Sequence, residues 1–228
     1  MTGQKFVAGL AALLLGLATT TVAAHHHHHR RDQGEATSAA PAVSGHFDYY
    51  LLSLSWSPSY CLTHPQDRAQ CSRGFGFVLH GLWPQYDGGG YPENCGAAAP
   101  LDAAALAVGQ TLFPSPTLMQ HEWSRHGSCS GMSAADYFRT ADRALAAVRV
   151  PPAFEAPRAT AQLSGNQIVN AFVAANPQLS ADGLTVACTR DELAEVRVCL
   201  TRELALRHCG RGVHSACPDV PLRIPAAR

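Results

Sequence analysis

Lysine is almost absent from this chain of 228 residues: Lys5 is the only one, and every other basic side chain is arginine or histidine. An excess of either charge is missing too, because 17 Lys and Arg balance 17 Asp and Glu. That balance excludes a protein that coats nucleic acid by charge alone, which needs a basic stripe or patch. A nucleic-acid partner would be held briefly at a site, as a substrate is. No apolar run reaches the roughly 20 residues that cross a bilayer as a helix. No CxxC pair is present, which removes the common zinc-ribbon and dithiol signatures. No internal repeat is found, which excludes solenoids and propellers.

What is present begins with an export pattern. Lys5 provides a positive start, Phe6 to Leu17 an apolar run, and Val22-Ala23-Ala24 a small-residue cleavage site. Residues 1–24 are therefore expected to be a signal peptide. Residues 25–46, with five histidines from His25 to His29 followed by Ala, Ser, Gly and Pro, are expected to form a disordered His-rich linker. Eight cysteines follow: Cys61, Cys71, Cys95, Cys129, Cys188, Cys199, Cys209 and Cys217. An even number in an exported chain implies disulfides and an oxidising destination, secreted or periplasmic. Spacing alone leaves their pairing open. The remaining residues, 47–228, suffice for one domain with its own core.

Within that domain, strands are expected at Asp48 to Ser55 and Phe75 to His80, and later at Thr185 to Cys188 and Val196 to Leu200. Gly and Pro from Asp87 to Pro100 predict a loop, and Pro114 and Pro116 are expected to break the chain before His121. Helices are expected at Leu101 to Gln110, at Ala134 to Val148 behind a capping box at Ser133 and Asp136, and at Asn166 to Ala175. Helices and strands that do not alternate regularly predict an α+β fold.

Two segments carry candidate chemistry: Phe77 to Pro84 (FVLHGLWP) and His121 to Cys129 (HEWSRHGSC). At about 100° per helical residue, His121, Arg125, Glu122 and His126 fall at about 0°, 40°, 100° and 140°, a single polar arc. A solvated face with Glu122 pairing to its neighbours is the ordinary explanation of such an arc. Zinc is the rival, but its helical signature sets histidines four apart on nearly one face, whereas these are five apart. RNA cleavage uses all four groups. Two histidines suit the base that takes the ribose 2′-hydroxyl proton and the acid that protonates the leaving 5′-oxygen. Arginine fits phosphate geometry. The nucleophile lies within RNA itself, so no metal is needed. His80 at a strand end can supply the second histidine, and Trp83 a face for stacking a base, worth about 1–3 kcal/mol.

These segments closely resemble the two active-site segments of the ribonuclease T2 family. Trp56 to Cys61 (WSPSYC), Tyr91 to Cys95 (YPENC) and Leu193 to Cys199 (LAEVRVC) extend the resemblance from Phe47 to about Cys217. It implies one α+β domain, a mainly antiparallel central sheet with flanking helices. It also implies a metal-independent endoribonuclease without cofactor that cleaves single-stranded RNA through a 2′,3′-cyclic phosphate to 3′-phosphate ends. His80 and His126 would be the acid–base pair, Glu122 would stabilise the transition state with Arg125, and His121 would help bind phosphate. Trp83, Tyr86 and Tyr91 would contact the base. The implied disulfides are Cys61–Cys71, Cys95–Cys129, Cys188–Cys217 and Cys199–Cys209.

Three positions depart from the family pattern. Arg125 stands where lysine is usual, Ser128 where threonine is usual, and Gln85 where many members have Asp, next to the expected base-binding site, which leaves the preferred base open; the resemblance implies little or broad base specificity. The expected partner is RNA, with no DNA, no membrane and a monomeric chain. A non-catalytic binding module and a zinc hydrolase are the alternatives from other classes. Variants of His80 and His126 separate the first, and chelator resistance the second.

Overall fold

The structure is a computed structural model and describes residues 42–155, 157–217 and 220–227. The signal segment at 1–24 and the run His25–His29 lie outside the described residues. In chain order the elements are β1 (Tyr49–Trp56), α1 (Ser57–Thr63), α2 (Arg68–Cys71), β2 (Phe77–Gln85), α3 (Ala103–Leu112) and α4 (Pro116–Arg125). They continue with α5 (Ala134–Ala146), β3 (Ala161–Leu163), α6 (Gly165–Ala175), β4 (Leu184–Thr189), β5 (Glu192–Leu200) and β6 (Leu222–Ile224).

β1 runs down the middle because its residues are apolar on both faces. Tyr50, Leu52, Leu54 and Trp56 point one way, and Tyr49 and Leu51 the other, all fully or nearly fully buried. β2 and β5 flank β1 antiparallel, and β4 pairs antiparallel with the far side of β5. The short β3–β6 pair joins through a single parallel bridge, Glu192 to Arg223, which completes a six-stranded and mainly antiparallel sheet. Helices cover one face. Tyr137, Phe138, Ala141 and Ala144 form the buried stripe of α5, and Ile168 and Phe172 that of α6. With Met119, Trp123 and the sheet's Leu52, Leu54, Leu79 and Val198 they make the main core. The opposite face carries a smaller cluster of Tyr49, Leu51 and Cys199, against which Trp83, Cys209 and Val213 pack. The fold is α+β, as expected.

All four disulfides are formed in the pairing the resemblance implies. Some expectations are corrected. The packed chain begins before Phe47: Gly45 N–H donates to Cys129 O at 2.9 Å, and Ser44 Oγ donates to Ser128 O at 2.6 Å. The end of the expected linker is therefore fastened beside the second chemical segment. β2 does not stop at His80 but runs on to Gln85, through Gly81 and Pro84. Pro84 is tolerated because β2 is an edge strand, where a missing N–H breaks no ladder. Pro116 does not break the chain. It is the first residue of α4, whose N-cap Ser115 accepts from Leu118 N. At Ser133 the cap accepts from Asp136 N, while the full reciprocal capping box occurs at Ser164 and Gln167.

Candidate active site

His80 stands at a break in strand register. Ser53 of β1 faces Gly81 of β2, but the next residue, Leu54, faces Leu79, so His80 is the extra residue of a β-bulge. A bulge bends the strand and re-aims a side chain, and here it turns the imidazole between two carboxylates. Nδ1 lies 2.5 Å from Glu195 Oε1, and Nε2 lies 3.5 Å from Glu122 Oε1. The next residue has no room for a side chain. A Cβ at Gly81 would come within 2.0 Å of Glu122 Oε2 and 2.4 Å of Trp83 Nε1. Those two atoms are themselves bonded, Trp83 Nε1–H donating to Glu122 Oε2 at 2.7 Å.

α4 sorts its residues as the helical arc predicts. Trp123 faces the core and donates to Ala99 O at 3.0 Å, while Glu122 is fully buried facing β2. His126 caps the helix end and is buried, and His121 is exposed at the rim. The Trp83 ring sits between the two histidines, with centroids 5.1 Å from His80 and 5.2 Å from His126. The Tyr91 ring centroid lies 6.0 Å from that of His126. The Cys95–Cys129 disulfide ties the Tyr91 loop to the end of α4, aided by Asn94 N–H to Arg125 O at 2.8 Å. Arg125 pairs with Glu93 of that loop at 2.6 Å, with both side chains partly exposed.

These groups line one cleft of about 480 Å³ that holds His80, Trp83, Tyr91, His121, Glu122, Arg125 and His126. Of the expected site residues only Tyr86 is elsewhere. It packs on the core and borders a separate depression with Phe47 and Arg202. The reason is the pleat. Trp83 and Gln85 share the cleft side of β2, and Tyr86 lies just past the strand end. Gln85 is buried in the cleft wall, where its Nε2 donates to Pro84 O.

Two further residues of β5 escaped the sequence reading: Arg197, which lines the cleft, and Glu195, buried behind His80. Glu195 Oε2 accepts from Arg197 Nε at 2.7 Å and from its Nη2 at 2.6 Å, and the guanidinium lies 5.2 Å from the Trp83 ring centre. A signal was available. The charges at 195 and 197 alternate with Val196 and Val198, the period-2 mark of a strand with one polar face. Arg211, Gly212, Val213 and His214 form another wall. They belong to a loop that starts after the Cys199–Cys209 bridge and ends before the Cys188–Cys217 bridge.

The electrostatics set the two histidines apart. Burial opposes charge on His80, but the hydrogen bond and charge of Glu195, with Glu122 behind them, outweigh it and raise its pKa above 6.5. His126 is pushed down to about 3 by burial first and then by Arg125, His121 and His80. Burial lifts Glu122 to about 7 despite His80 and the Trp83 N–H. Glu195 goes the other way. Burial would raise it, yet His80 and Arg197 hold it down at about 2. Near pH 6 the cleft thus presents a cationic His80 and a neutral His126. Among the described residues no group of three or more His, Cys, Asp or Glu is arranged to hold a metal ion.

Residues 47–209 match the profile of the ribonuclease T2 family. The chain belongs to that family. A ribonuclease of Aeromonas hydrophila is 51% identical over 102 residues, 45% of this chain and 46% of that protein. A probable ribonuclease of Haemophilus influenzae is 30% identical over 178 residues, 71% of this chain and 61% of that protein. The chain thus spans only about half to three-fifths of the length of these relatives. Among solved structures, an RNase-related protein from Calystegia sepium superposes with a TM-score of 0.66 at 24% identity, covering 80% of this chain and 98% of that one. RNase NT in complex with 5′-AMP superposes at 0.56 and 23% identity, covering 78% and 97%. At these identities the likeness concerns the fold.

Proposed function

We propose that this protein is a metal-independent endoribonuclease that cleaves single-stranded RNA by transphosphorylation. The observation that carries the reading is the pair of histidines flanking Trp83, one held protonated and the other neutral. His126 takes the proton from the ribose 2′-hydroxyl, whose oxygen attacks the adjacent phosphorus. The P–O5′ bond breaks, and His80 gives its proton to the departing 5′-oxygen. A 2′,3′-cyclic phosphate results. Water then opens the ring with the two histidines in reversed roles, leaving a 3′-phosphate.

The other groups serve the phosphorane. Glu122 carries a proton below about pH 7 and can donate it as a hydrogen bond to a phosphoryl oxygen. Arg125 and His121 add cationic or polar donors at the rim. Trp83 and Tyr91 offer rings on which any base can stack, so base preference is broad. DNA has no 2′-hydroxyl to attack with and is not cut. The four disulfides suit an oxidising compartment, secreted or periplasmic, and the cleft is complete within a single chain, which acts as a monomer.

The test is digestion of a defined RNA by the purified protein in excess EDTA, with the product ends analysed. Cyclic-phosphate and 3′-phosphate ends that vanish in His80→Ala and His126→Ala support the reading. No cleavage at any pH between about 4 and 8, the range in which histidines change charge, overturns it and leaves a binding module. Cleavage that EDTA abolishes would favour a metal-dependent hydrolase.

A further inference from the structure

Glu195 is a buried carboxylate with no part in the chemistry set out above. It lies on β5, the strand paired on both sides, with Ser55 of β1 as one partner and Ala187 of β4 as the other. Its backbone is therefore held from two directions. Its two oxygens are divided: Oε1 meets His80 Nδ1 at 2.5 Å, and Oε2 takes both Arg197 contacts. Ser55 Oγ approaches Oε1 at 3.4 Å, near the limit of a hydrogen bond. His80 is the bulged residue, freed from the β1 ladder, and its side chain remains 30% exposed, so packing alone does not fix its ring.

We propose that Glu195 is a positioning residue for His80: it accepts the Nδ1–H, aims Nε2 into the cleft beside Glu122, and is itself held by Arg197. The inference rests on the reading of His80 as the acid of an RNA-cleaving pair. An acid must present its transferable proton on the nitrogen that faces the leaving group. A carboxylate at Nδ1 fixes which nitrogen that is and favours the protonated ring. The groups facing His80 are Glu195 and Arg197 from β5, Glu122 and His126 from α4, and the edge of Trp83 from β2 itself. Without the Glu195 charge, Arg197 would stand beside Nδ1 as a like charge. The imidazolium would be disfavoured and the ring free to turn. Arg197 is a positioning residue one step further out, because it touches Glu195 and the face of Trp83.

The test compares wild type with Glu195→Gln and Glu195→Asp by NMR titration of the imidazoles and by steady-state kinetics across pH. In wild type, His80 Nδ1 should carry a proton shifted far downfield by its short bond to a carboxylate, a signal read without any variant. Glu195→Gln should lose that signal and move the His80 midpoint to lower pH. The same variant should cut kcat by about 10–100-fold, the scale of lost support behind a site histidine, with KM nearly unchanged. Its upper pH limb should move down by the same amount as the midpoint. Glu195→Asp keeps the charge at a longer reach and should recover part of both shifts. A His80 midpoint and Nδ1 proton that do not change in Glu195→Gln overturn the proposal, as does a wild type without the downfield proton. If wild type cuts no RNA but the NMR shifts occur, the positioning stands and the ribonuclease reading falls.

Discussion

His80 stands on a sheet strand between two carboxylates, whereas His126 stands at a helix end among cations and aromatic rings. The two sides of the cleft are built by different means. On the sheet side a bulge frees one residue from the ladder, and paired strands hold charged partners around it. On the helix side the polar arc of α4 brings Glu122 and His126 inward, and a disulfide-bound loop sets Tyr91 beside His126. The difference explains how two copies of one residue type, separated by a single tryptophan ring, can hold opposite protonation states. The proposed roles, His80 as acid and His126 as base, follow from these surroundings and not from residue type.

Removing either histidine has the largest expected effect. His80→Ala and His126→Ala should each lower kcat by about 10²–10⁴-fold, the range of general acid–base catalysis, while thermal melting shows both still folded. Next comes the partition between the two sides. Gly81→Ala places a methyl group where Glu122 and Trp83 meet, and misplacing site groups by about 1 Å can cost roughly 10²-fold in rate. A crystal structure of that variant should show the Trp83–Glu122 bond opened. A third variant acts on the helix side alone. Replacing both Cys95 and Cys129 by alanine should lower stability by about 2–5 kcal/mol in denaturant titration. Its activity should fall less than in Gly81→Ala, because the Tyr91 loop loosens while His80 keeps its partners.

The smallest effect belongs to Arg125→Ala. Its pair with Glu93 is half exposed, and such solvated pairs contribute little to stability, so the melting temperature should hardly move. A modest rise in KM for RNA, larger at low salt, would register its contact with phosphate. The pH profile separates the two histidines without any mutation. In the proposed mechanism the base must be neutral, so activity should fall only below the depressed His126 value of about 3. The acid must be protonated, so activity falls as pH rises through the His80 value, which lies above 6.5.

Much of this cleft was legible in the sequence because helical spacing alone puts His121, Glu122, Arg125 and His126 on one arc. The long elements were legible too, with β1, α3, α5 and α6 within about two residues of expectation. Four things were not. The bulge at His80 depends on pairing with β1, a long-range contact that local pattern does not report. Proline had opposite meanings in two places: Pro84 was accommodated by an edge strand and Pro116 opened a helix. Glu195 lies 115 residues from His80 in sequence, and only the sheet brings them together. The three-residue strands β3 and β6 are too short to carry any periodicity of their own.

The most direct measurement is an NMR titration of both site imidazoles in the wild-type protein, assigned by His80→Ala and His126→Ala. The account predicts that at pH 6 His80 is predominantly protonated and His126 is neutral, with midpoints on opposite sides of the unperturbed histidine value near 6.5. Two midpoints that coincide near that value, or that appear in the reverse order, would contradict it.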